Sequence, residues 1–112
     1  MSVHYSISLP DPAKARGADP RLSFTASGAE AFAEQLQAAL RTPELFERWK
    51  ATQDEPDDVD PGLGATDPQA TVTGQQADLR INLVASTTLS GDLFKQRMRW
   101  LAGNHWELRD VR

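Results

Sequence analysis

The sequence predicts an α+β domain: a largely antiparallel sheet of four to five strands with two to three helices on one face. Three observations predict it. Residues 2–9 and 79–86 alternate apolar with polar, the period of half-buried strands. Residues 27–52 and 90–102 repeat their apolar residues at helical spacing, with polar residues on the rest of the cylinder. The chain has 112 residues, enough for a single domain that buries about two-thirds of its unfolded surface.

Val3, Tyr5, Ile7 and Leu9 alternate with Ser2, His4, Ser6 and Ser8, which predicts a first strand ended by Pro10-Asp11-Pro12. Leu22, Phe24 and Ala26 alternate with Arg21, Ser23 and Thr25, predicting a second strand that forms a long-looped hairpin with the first. Ser27 and Glu30 then make a capping box for a helix that presents Phe32, Leu36, Ala39 and Leu40. Thr42-Pro43-Glu44 restarts or kinks that helix, and its second part offers Leu45, Phe46 and Trp49 to the core.

The segment 53–70 breaks the pattern. From Asp54 to Pro68 it holds six acids, three prolines, two glycines and no base, and a mobile acidic loop is expected there. Without it the net charge of −4 becomes about +2, so the acidity is local. Beyond it, Thr71-Val72-Thr73 reads as a short strand and Gly74-Gln75-Gln76 as a turn. Residues 78–87 read as a strand with Leu79, Ile81, Leu83 and Ala85 on one face, Arg80, Asn82 and Ser86 on the other, and Val84 out of phase. Ser90 caps a third helix with Leu93, Phe94, Met98 and Leu101 inward, stopped at Gly103-Asn104. Trp106 and Leu108 alternate with His105, Glu107 and Arg109 in a closing strand; a terminal helix capped at Asn104 is the other reading. The order is β-β-α(α)-β-β-α-β, either ferredoxin-like with an extra N-terminal strand or built from two β-β-α halves.

Composition narrows function more than motifs do. There is no cysteine, hence no disulfide and no thiolate chemistry, and the N-terminus lacks the charged and apolar regions of a secretory signal. No apolar run is long enough to span a membrane, so a cytoplasmic protein is expected, with a bacterial cast to its composition. Nucleic acid is not expected as a partner: Tyr5, Phe24 and Trp106 fall in phase with the core, leaving no stacking platform on the open sheet face. The acidic segment does not match a calcium loop, because each register starting at Asp54 or Asp58 places Pro56, Gly62 or Leu63 where an oxygen ligand or the turn glycine belongs. No metal site and no cofactor is predicted. Nor is any catalytic residue: nucleophile elbows, phosphate loops and paired-histidine motifs are lacking, and His4, His105 and Glu107 make the one acid–base grouping that can be drawn.

What remains is charge segregation. Lys95, Arg97 and Arg99 on the third helix, Arg80 on the sheet, and Asp54, Asp57, Asp58 and Asp60 in the acidic segment are the candidate partner-binding residues. The acidic segment is a candidate to fold back over the basic helix. The expectation is a small non-enzymatic protein-binding module, an adaptor, inhibitor, immunity-type or secretion-accessory protein, monomeric or homodimeric. The alternative is a ferredoxin-like small-molecule enzyme or sensor with a polar site on the sheet, drawing on His4, Arg21, Arg80 or His105.

Overall fold

The alternation near the N-terminus forms β1 (Val3–Leu9), a central strand of the sheet in the computed structural model, which describes residues 2–112. The chain continues through α1 (Ala29–Arg41), α2 (Glu44–Lys50), β2 (Thr71–Ala77), β3 (Arg80–Thr87), α3 (Gly91–Ala102) and β4 (Glu107–Val111). The strands lie in the order β2-β3-β1-β4, and every neighbouring pair is antiparallel. The class is the predicted one, α+β, with four strands and a helical layer.

Period two decides which face is covered. Tyr5, Ile7 and Leu9 of β1 and Ile81, Leu83 and Ala85 of β3 are buried beneath α1 and α3, whereas Arg80, Asn82 and Val84 on the opposite face stay exposed. The helices answer with Phe32, Leu36, Leu40, Phe94, Met98 and Leu101, all buried. Tyr5 and Phe94 stack at 4.2 Å between centroids, and the Tyr5 hydroxyl donates to the Leu89 carbonyl at 3.1 Å. Burial also pushes the Tyr5 phenol above its usual pKa. Ser90 caps α3 as predicted, its hydroxyl accepting from the Leu93 amide at 3.4 Å.

Three expectations are corrected. Arg21 to Ala26 is not a strand: both edges of β1 are taken by β3 and β4, so no hairpin forms there. The segment runs instead over the C-terminal end of α3, where the Phe24 amide donates to the Leu101 carbonyl at 2.8 Å. Leu22, Phe24 and Ala26 are buried because one side of that extended stretch faces the helical layer.

The capping box at Ser27 does not form either. Gly28, with φ 91°, turns the chain into α1, and the Gln35 side-chain carbonyl holds the Thr25 and Ala26 amides at 2.9 and 2.8 Å. Gly74-Gln75-Gln76 continues β2; the turn is Asp78-Leu79, with Asp78 at φ 56° and Leu79 86% exposed rather than core-facing. Gly74 lets α1 settle on the sheet, since a Cβ there would come within 2.5 Å of the Ala29 carbonyl oxygen. The expected closing strand is present as β4, Glu107–Val111, and the alternative helix capped at Asn104 does not form.

Candidate functional site

Helix α3 puts one residue where a charge is not expected. Arg97 lies on the same stripe as Phe94 and Leu101, three residues before and four after, and its side chain is fully buried. Among the described residues no carboxylate pairs with it. Nη2 donates to the Ala65 carbonyl at 2.9 Å, while Nε and Nη1 have no partner. Loss of solvation pulls the Arg97 pKa down from its ordinary value, though a guanidinium remains charged.

An aromatic column leads from this cation to the surface. The Arg97 guanidinium sits 5.2 Å over the Trp100 ring, Trp100 stacks on Trp49 at 5.0 Å, and Phe46 leans on Trp49 at 6.0 Å. Trp49 and Trp100 are half-buried and border a depression of about 240 Å³ shared with Asp19, Leu22, Thr52 and Arg99. Phe46 closes the column against Gly64, where a Cβ would meet the ring at 2.6 Å.

Gly64 and Ala65 belong to the acidic segment, which contains two short 3-10 turns, Pro56–Asp58 and Pro61–Gly64. Its ends are pinned. Gln53 bonds back to α2 through the Lys50 and Trp49 carbonyls. Asp67 is buried, its amide donating to the Leu40 carbonyl and its carboxylate accepting from the Thr87 hydroxyl and Thr88 amide, each at 2.9 Å, and from the Gln69 amide at 3.0 Å. The Thr88 amide foremost, then the other donors, hold the Asp67 carboxyl below its usual pKa against the opposing effect of burial. Between these pins, among the described residues, the bond from Arg97 to Ala65 is the one hydrogen bond that ties residues 54–66 to the body; the rest are internal to the segment.

The remaining predicted residues scatter. Lys95 and Arg99 are exposed on α3, and Arg99 reaches the tryptophan depression. Arg97 is not on that surface: its row on the helix is the core row. Asp54, Asp57, Asp58 and Asp60 are all exposed and, among the described residues, form no ion pair; Asp60 accepts from the Gly62 amide at 2.8 Å. The segment touches α3 at the core-row Arg97, through the Ala65 backbone carbonyl and not through its acids, and Lys95 and Arg99 on the basic face stay exposed. No group of three metal-ligating side chains converges among the described residues.

Arg80 lies on the open sheet face with Ser6, Asn82, Val84 and Arg109, around a depression of about 330 Å³. Arg21 is away from the sheet and is engaged by Asp19 at 2.9 Å, which holds the Asp19 carboxyl below its usual pKa. His4, His105 and Glu107 do not assemble. Strands β1 and β4 are neighbours, but Glu107 pairs with Ser8, four residues and ~13 Å along β1 from His4. No helix among the described residues is long and apolar enough to cross a membrane. Comparison with protein-family models, curated proteins and solved structures found no match to this chain.

Proposed function

We propose that this chain is a small non-enzymatic protein-binding module of ferredoxin-like connectivity, engaging its partner through the face formed by α2 and α3. The observation that carries the reading is the half-buried Trp49–Trp100 stack with Arg99 at its rim. Tryptophan and arginine are enriched among the few residues that dominate binding energy in protein interfaces, because each combines a large contact area with directional polar groups. The partner that fits presents an apolar side chain to the tryptophans and a carboxylate to Arg99. A cytoplasmic location is part of the proposal, supported by a chain without cysteine.

The test is affinity capture from host lysate with the wild type, Trp49→Ala and Arg99→Glu, each with and without nuclease. A stoichiometric protein lost in both variants and indifferent to nuclease is the expected result. Capture unchanged by either substitution refutes the α2–α3 face. A second reading has its own observation: Arg80 and Arg109 flank the depression on the open sheet, which suits a small anionic ligand. Loss of capture or of ligand in Arg80→Glu, with Trp49→Ala unaffected, favours that one.

A further inference from the structure

We infer that Arg97 anchors an oxyanion-binding site covered by residues 54–66, with the Ala65 carbonyl standing where one oxygen of the ligand binds. The inference goes beyond the protein-binding reading and does not depend on it. A guanidinium carries five N–H donors in a rigid fork that pairs bidentately with a planar or tetrahedral oxyanion. Here it is fully buried, yet it makes one hydrogen bond, to a neutral carbonyl, and two of its nitrogens face no acceptor. A core position occupied by an unpaired charge is a local violation of folding rules, and such violations concentrate at functional sites.

The cover has the construction of something that opens. Its ends are fixed by Gln53 and by the buried Asp67, while its middle makes one hydrogen bond to the body among the described residues, from Arg97, and seats Gly64 on Phe46. Lifting it removes the neutral acceptor at Nη2 and leaves the guanidinium backed by the Trp100 ring at 5.2 Å. An incoming oxyanion replaces the Ala65 carbonyl at Nη2 and, by pairing bidentately, supplies an acceptor to Nε or Nη1 as well. The five acids of residues 54–66 all lie on the cover and none pairs with Arg97, so an anion competes with a carbonyl and not with an internal carboxylate. Carboxylate and phosphate share the chemistry required.

The experiment follows the Arg97 Nε–H resonance and the amides of residues 62–66 while sodium acetate, sodium phosphate or sodium chloride is added at constant ionic strength. The wild type is expected to show a saturable Nε–H shift with acetate, phosphate or both, together with loss of exchange protection in the cover. Response to acetate alone assigns a carboxylate ligand; response to phosphate alone assigns a phosphate. Arg97→Met should abolish the cover's response. Gly64→Ala, whose Cβ displaces the cover from Phe46, should tighten apparent affinity by roughly tenfold, because binding no longer has to open it. No saturable Nε–H shift in the wild type overturns the inference. So does an equal amide response in Arg97→Met, which marks a general salt effect, or a response to chloride as strong as to either oxyanion. These readouts need no protein partner, so the inference and the proposed protein contact fail separately.

Discussion

Replacing Arg97 with methionine should make the protein more stable, the opposite of what deleting a large core side chain normally does. Methionine fills a similar length of the core and its thioether needs no hydrogen-bond partner. Two opposing sets of terms decide the sign. The wild type carries two buried donors without acceptors, each costing about 1–3 kcal/mol, on top of the desolvation of the charge itself. Against this, the substitution removes the bond to Ala65, worth about 1.5–3 kcal/mol, and the contact with Trp100, worth about 0.5–2 kcal/mol. Ala65 itself is exposed, so its carbonyl can turn to water rather than remain orphaned. The balance favours methionine by about 1–3 kcal/mol once desolvation is included. In a domain of this size that raises Tm by roughly 5 °C or more. Urea unfolding followed by far-UV circular dichroism measures it directly. Arg97→Ala, which leaves a cavity, should be less stable than Arg97→Met by about 2–5 kcal/mol and separates the packing term from the charge term. A methionine variant that is less stable than the wild type by ~1 kcal/mol or more refutes the reasoning, because the guanidinium is then well satisfied and its burial is no penalty.

Other substitutions test the architecture. Ser90→Ala should cost about 1 kcal/mol in urea melts, whereas Ser27→Ala should stay within ~0.5 kcal/mol, since only Ser90 makes a capping bond. Gly74→Val should destabilise by about 1–3 kcal/mol and weaken amide protection at the start of α1, because its side chain drives into the Ala29 carbonyl. Asp67→Asn should lower stability at neutral pH, and the gap from the wild type should close in acid. The folded-state pKa of Asp67 is depressed, so its contribution is full above the unfolded value and is lost as pH falls through the folded one. Paired urea melts near neutrality and in acid check this; a gap independent of pH contradicts it.

Much of this fold is legible in the sequence, and the failures have physical causes. The β1 and β3 alternations and the helical stripes each coincide with burial on one face, so period alone identifies them. Leu22, Phe24 and Ala26 show the same alternation without belonging to a sheet. Alternate burial reports an extended chain lying on a core, and hydrogen bonds to α3 and Gln35 replace the ladder there. Ser27 and Glu30 carry the capping-box pattern, but the preceding residues are tethered by Gln35, and Gly28 takes the cap position. The turn after β2 was displaced because Gly74 looks like a turn residue and is instead a packing residue under α1. At the candidate site, Arg99 and Lys95 were correctly exposed. The charge of Arg97 suggests a surface cation, although its spacing from Phe94 and Leu101 places it on the core stripe. The aromatic column could not be read, because Trp49 and Trp100 lie 51 positions apart and meet only through packing of α2 against α3.

The proposed contact surface is the α2–α3 face, with the Trp49–Trp100 stack at its centre. Photo-crosslinking in the host tests it most directly, with a benzophenone amino acid placed in turn at Trp49, Arg99, Arg80 and Thr73. One discrete protein adduct is expected from positions 49 and 99 and none from positions 80 and 73 on the open sheet. Adducts from the sheet positions alone would contradict it and move the functional surface to the opposite side of the molecule.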